Sequence, residues 1–387
     1  MNPIPLRANW NYPTCVRFGA GRISELADAC KSVGISRPLF VTDRGLANSP
    51  MVLKAIEATR AQGIATALFT DVQPNPIWEN VHQGIVAYRD GDHDGLIGFG
   101  GGSPLDVAKS IAFMVTQTRP IWDFEDIGDN YKRAETTGIA PVIAVPTTAG
   151  TGSEVGRGTV ITDVATHTKK IIFHPKMLPA VAILDPELTV GMPPHMTAGT
   201  GMDALAHNLE AYCAPFYHPM ADGIGAEGVR LIKKWLPTAY QEGTNLEARA
   251  NMLAAAAMGA TAFQKGLGAI HALSHPVGAL YNTHHGLTNA VFLPYVLVFN
   301  RTAIEERIDR LAAYLGLRGF DDFLAWTLEL RAELRVPHTL AELGVGDDRL
   351  DEMARMAEVD PPAYGNPIPV EAAELRKLYE AALSGEL

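Results

Sequence analysis

Cysteine is scarce: three residues in 387, at Cys15, Cys30 and Cys213. They are too few and too scattered for a disulfide framework or a thiolate metal site, so reduced thiols in a cytoplasmic protein are expected. Positive charge is also short. The 32 Lys and Arg face 43 Asp and Glu, giving a net charge of −11 at pH 7. Such a chain repels nucleic-acid phosphates and anionic lipid, and no basic run exceeds Lys169-Lys170 or Lys233-Lys234. No apolar run approaches the roughly 20 residues that span a bilayer. Residues 1–12 carry Pro3, Pro5 and Arg7 in place of the apolar centre of a secretory leader. Internal repeats and low-complexity tracts are missing too. These absences leave a small molecule as the expected partner.

What is present is the mixture of a compact globular protein, 47% hydrophobic and 19% charged. The first half alternates short β-branched runs with helical stretches. Strands are expected at 38–43, 66–70, 95–100 and 141–146, and helices at 50–62, 76–89 and 104–115. This alternation implies right-handed crossovers and a parallel sheet covered on both faces. After about Val190 the texture becomes alanine- and leucine-rich and helical, at 201–212, 220–235, 246–264, 304–315, 320–331 and 371–384. The fold class read from this is an α/β dinucleotide-binding domain over 1–191 followed by an all-helical domain over 192–387.

Three segments of the first domain suggest a ligand. Gly98-Phe99-Gly100-Gly101-Gly102-Ser103 joins a strand to a helix, where glycines let backbone approach a pyrophosphate and free amides attract its charge. It departs from the G-x-G-x-x-G fingerprint at Ser103, and a glycine turn alone is more often a structural feature. Asp43 closes the first strand, where a carboxylate accepts both ribose hydroxyls and favours NAD over NADP; a turn or capping aspartate has the same look. Pro146-Thr147-Thr148-Ala149-Gly150-Thr151-Gly152-Ser153-Glu154 packs small hydroxyls and glycines after another strand, more than capping needs.

Six of the twelve histidines fall between His207 and His285, and four of them between His271 and His285. Asp203 and His207 are one helical turn apart, His271 and His275 repeat that spacing, and His285 follows in a turn-like Asn282–Gly286 stretch. An acid and several imidazoles from separate segments suit a borderline cation such as Zn²⁺ or Fe²⁺.

With these motifs assembled, the chain resembles the iron-containing (group III) alcohol dehydrogenases over essentially its whole length. The resemblance rests on Gly98–Ala108, Pro146–Val155, Gly201–Tyr212 and Gly268–Gly286, with Asn366-Pro367 near the end. It implies metal ligation by Asp203, His207, His271 and His285, and a proton-transfer role for His275. It implies NAD contacts at Asp43, Asn75, Gly101, Gly102, Ser103, Asp106, Thr147, Thr148, Thr151, Val160 and Lys169. It also implies a dimer or larger homo-oligomer, and interconversion of a primary alcohol or diol and its aldehyde, the alcohol oxygen bound to Fe²⁺ or Zn²⁺. Two departures stand out: the family commonly has proline where His284 sits, and bulkier residues where Gly156 and Gly158 flank Arg157. Two rival readings share the plan, a dehydroquinate-synthase-like metal and NAD cyclase, and a non-catalytic metal-binding assembly module.

Overall fold

The structure, a computed structural model, describes residues 14–387; the reading of residues 1–12 lies outside them. By contacts the chain divides into two units. One comprises the described residues up to Thr148 with Gly152–Gly191, and the other Ala149–Thr151 with Met192–Leu387.

The first unit is built on a six-stranded sheet whose paired strands are all parallel. Its strands are β1 (Cys15–Phe18), β2 (Pro38–Val41), β3 (Ala67–Phe69), β4 (Gly95–Gly100), β5 (Val142–Pro146) and β8 (Val181–Leu184), in the order β1-β8-β5-β4-β2-β3. The central strands read as unbroken apolar runs because both faces are covered. Leu39, Leu96 and Val142 pack on one side with α3 (Trp78–Asp90) and α4 (Gly102–Met114). Phe40, Ile97 and Ile143 pack on the other with α1 (Leu26–Ser32) and α2 (Pro50–Ala61). The four strands and three helices expected from the sequence are all there. An antiparallel hairpin, β6 (Gly158–Asp163) with β7 (Thr168–Phe173), and strands β1 and β8 were not expected.

Strand order decides where a ligand can enter. From β2 the chain steps outward to β3, then returns to β4 on the opposite side of β2 and continues away to β5. The crevice at such a reversal, beyond the carboxyl ends of the strands, is where open α/β sheets take ligands. Asp43 follows β2 and Gly101 follows β4, with Val41 and Gly98 in register between them.

The second unit is helical, and among the described residues no strand follows β8. Its axis is α5 (Pro194–Cys213), buried at 16 of its 20 positions and packed against α6 (Pro219–Gln241), α7 (Leu246–Ala262) and α9 (His285–Tyr314). Alanines and glycines make so complete a burial sterically feasible. α8 (Ala269–Tyr281), α10 (Phe320–Glu333), α11 (Leu350–Glu358) and α12 (Ala372–Ser384) complete the unit. Two expectations need correction. Residues 282–286 are not simply a turn: Asn282 closes α8 in a left-handed conformation and His285 is the first residue of α9. That helix has 30 residues, of which the sequence reading saw only the last third. It is apolar and long enough to cross a membrane, yet 67% of its most apolar window is buried inside the molecule, as in a core helix.

Candidate metal centre and nucleotide loop

Helix α5 places Asp203, His207 and Glu210 on one face by their i, i+4, i+7 spacing, inside a helix with almost no solvent face. Polar groups so deeply buried must find partners. The Asp203 Oδ1 atom lies 3.9 Å from His207 Nε2, 3.8 Å from His271 Nε2 and 3.5 Å from His285 Nε2. Ligand atoms of Asp203, His207 and His271 all fall within 4.8 Å of one another. Four donors about 2.1 Å from a tetrahedral cation stand roughly 3.4 Å apart, so the spacing fits a divalent ion, as does an N₃O donor set. Burial pulls the His207 imidazole down to about 4, leaving it neutral and able to donate a lone pair at neutral pH.

Three residues to which the sequence alone assigns no role support this cluster. Glu210 bonds His271 Nδ1 through Oε2, and through Oε1 accepts the Ile270 N–H at 2.7 Å. Burial lowers the basicity of His271, and the Glu210 carboxylate together with Asp203 and Asp360 more than offsets it. A carboxylate on the far nitrogen of a ligating imidazole fixes its tautomer and strengthens it as a donor. Asn366 Oδ1 accepts the neighbouring Ala269 N–H at 3.1 Å, so Glu210 and Asn366 together cap the start of α8. Asn289, one turn beyond His285, donates to Asp203 Oδ1 at 2.8 Å. Glu210 and Asn289 were open to discovery from the helical period; Asn366 had been seen only as a motif.

His275 does not join the Asp203 cluster. Its Nδ1 lies 3.1 and 3.0 Å from the two carboxylate oxygens of Asp360, both side chains being buried. Asp360 comes from a loop 85 residues away, where no local pattern announces it. His284 and His285 part company as well. His284 Nδ1 caps α9 by accepting the Leu287 N–H at 3.4 Å, whereas the Nε2 of His285 faces Asp203. A Cβ at Gly286 would stand 2.1 Å from the Gly199 carbonyl oxygen, so only glycine lets α9 approach α5 closely enough to seat His285 there.

The glycine loop makes its own turn. Gly100 has a φ of 145°, a conformation side-chain-bearing residues rarely adopt, and a Cβ on it would meet Pro104 at 2.7 Å. Gly101 is the N-cap of α4 with no side-chain cap, and Gly102 and Ser103 form the first turn. Thr147 N–H donates to Gly100 O at 2.9 Å, and Thr148 lies beside Gly101. Asp43 uses Oδ1 to accept Leu46 N–H at 3.0 Å, a turn bond. Asn75 sits in the left-handed region, φ 51°. Asp106 is buried: Oδ1 accepts from Ser153 Oγ at 2.6 Å and Oδ2 from Val160 N at 2.9 Å, pinning β6 to α4. Lys169 pairs with Thr162 across the hairpin, and Thr151 belongs to the helical unit. Arg157 lies over the Phe173 ring at 5.4 Å, and burial lowers the pKa of its guanidinium, an effect that the Asp126 charge partly opposes.

Comparison with known proteins matches residues 13–186 to the iron-containing alcohol dehydrogenase family and 197–383 to the C-terminal part of that family. The chain is 38% identical to 4-hydroxybutyrate dehydrogenase of Cupriavidus necator, covering 96% of this chain and 99% of that one. A crystal structure of 1,3-propanediol oxidoreductase superposes with a TM-score of 0.92 at 35% identity, over 97% of this chain and all of the other. Sulfoacetaldehyde reductase from Bifidobacterium kashiwanohense, solved in complex with NAD⁺, matches with a TM-score of 0.88 at 30% identity, over 98% and 100%. The chain belongs to the iron-containing alcohol dehydrogenase family, an oxidoreductase family whose named relatives act on alcohols and their aldehydes.

Proposed function

We propose that this protein is a cytoplasmic NAD-dependent alcohol dehydrogenase that holds one Fe²⁺ or Zn²⁺ on Asp203, His207, His271 and His285. The observation that carries the proposal is the convergence of three imidazole Nε2 atoms on a single buried carboxylate oxygen, at 3.5–3.9 Å. When bound, the cation supplies Lewis acidity and the nicotinamide a hydride acceptor.

The chain's own residues do the rest. The uncapped start of α4 at Gly101–Ser103 supports binding of a pyrophosphate, since its amides and helix dipole attract negative charge. Asp43, at the carboxyl end of β2 beside the strand-order reversal, is suited to ribose hydroxyls. Asn75, Asp106, Thr147, Thr148, Thr151, Val160 and Lys169 make up the rest of the proposed nucleotide site, Asp106 by holding Val160 in place. Asp360 accepts the proton of His275 Nδ1, which leaves Nε2 free to take or return the alcohol's proton.

The substrate we favour is a short primary alcohol with a polar group at its far end, a diol or an ω-hydroxy acid. The relatives named above act on a hydroxy acid, a diol and a sulfonated aldehyde, which share that pattern. An NADH-absorbance panel on metal-reconstituted protein should rank 1,3-propanediol and 4-hydroxybutyrate above ethanol and octanol. In the same assay His271→Ala should lose metal, whereas His275→Ala should keep it and turn over slowly. Equal metal loss in both would refute the division of roles.

A further inference from the structure

Asn289 is fully buried on α9, and its amide nitrogen reaches three of the four proposed ligand atoms. It lies 2.8 Å from Asp203 Oδ1, 3.3 Å from His271 Nε2 and 3.1 Å from His285 Nε2. The orientation of the amide follows from its neighbours. Asp203 Oδ1 offers only an acceptor, so the amide atom 2.8 Å from it is the donating nitrogen. An amide oxygen turned inward would face the Asp203 carboxylate oxygen, another acceptor. With the nitrogen inward, Asn289 Oδ1 is left buried without a hydrogen-bond partner. A buried acceptor left unpaired is unfavourable, so the fold places this side chain for what its NH₂ does.

We infer that Asn289 is a positioning residue of the metal cage: its donation to Oδ1 holds the Asp203 carboxylate, on which the imidazoles converge, turned inward before a cation arrives. Without such a donor, the Asp203 oxygen and the His271 and His285 nitrogens 3.8 and 3.5 Å from it lose a shared neighbour and turn away from the common point. Bringing them back would then draw on the free energy of metal binding, which lowers affinity. On metal binding the bond to Asp203 remains available, so the side chain also fixes which carboxylate oxygen faces the ion.

The inference rests on the metal reading proposed above, and one titration separates the two. Metal-stripped wild type, His271→Ala, Asn289→Ala and Asn289→Leu are titrated with Zn²⁺ against a chromophoric chelator, with the fold of each followed by circular dichroism. Leucine fills the space of asparagine but cannot donate, so it keeps the test valid should the alanine variant fail to fold. Wild type is expected to bind one equivalent, and both Asn289 variants to bind roughly 10–100-fold more weakly. Leucine binding within about twofold of wild type, while His271→Ala binds none, would overturn the role of Asn289 and leave the metal site standing. A wild type that binds no zinc, or a His271→Ala variant that binds it equally well, would remove the site and the inference together.

Discussion

Two buried acids show how burial sets the role of a single side chain. Glu154 lies on the short turn after β5, 2% exposed, and burial pushes its carboxyl up to about 7 from an ordinary value of 4.5. The sign follows from proton counting. Below about pH 4.5 the group is neutral folded and unfolded; between there and about 7 only the unfolded chain releases the proton, so native stability falls as pH rises, then levels off. Glu154→Gln mimics the neutral form. It should match wild type near pH 4 and exceed it by about 1–3 kcal/mol at pH 8, measured by denaturant unfolding. Equal stability across the range would place the carboxyl in solvent. Asp360 illustrates the other case, a buried acid with a proton donor. Asp360→Asn disturbs the His275 tautomer and should lower kcat by about 10–100-fold while bound metal stays at one equivalent, read by metal analysis beside kinetics. Metal loss in this variant would make Asp360 a support of the cage instead.

Helix contacts decide whether the residues meet at all. The i, i+4 pairs Asp203/His207 and His271/His275 were visible in the sequence because helical spacing is local. Their consequences were not: α8 sends His271 to Asp203 but His275 to Asp360, since residues one turn apart along a helix axis reach different neighbours. The seating of His285 depends on the Gly286–Gly199 approach, which no pattern within either helix announces. Gly286→Ala should therefore separate α9 from α5. About 1–3 kcal/mol of stability should be lost, with metal affinity falling alongside it, as seen in thermal melts with and without metal. An alanine variant melting like wild type in both states would mean that the helices have room to spare. Most elements lost to the sequence reading share a cause too. β1 is largely exposed, and β6 and β7 carry Asp and Lys on a hairpin outside the six-stranded sheet, so no apolar run marks them; β8 is a buried apolar run as long as β2 and was missed all the same.

At the scale of the molecule, the change from alternating strands and helices to unbroken helices near residue 191 was legible because the two textures bury apolar surface with different periods. The glycine loop was legible as well, since a strand-to-helix turn at φ 145° leaves little choice of residue. Strand order was not, because the return from β3 to β4 beside β2 is a matter of sheet pairing at long range. Yet that reversal gives Asp43 and Gly101 a common location. The small residues Ala149–Thr151 belong by contacts to the helical unit although they lie between β5 and β6, which a linear reading cannot reveal.

The proposed chemistry stands or falls with one cation per chain. Metal content and alcohol-dependent NADH formation should be measured on the same sample before chelation, after it, and after adding back Fe²⁺ or Zn²⁺. One equivalent of metal, activity lost on stripping and recovered on adding it back is the expected result. Undiminished turnover in a verified metal-free sample would contradict it.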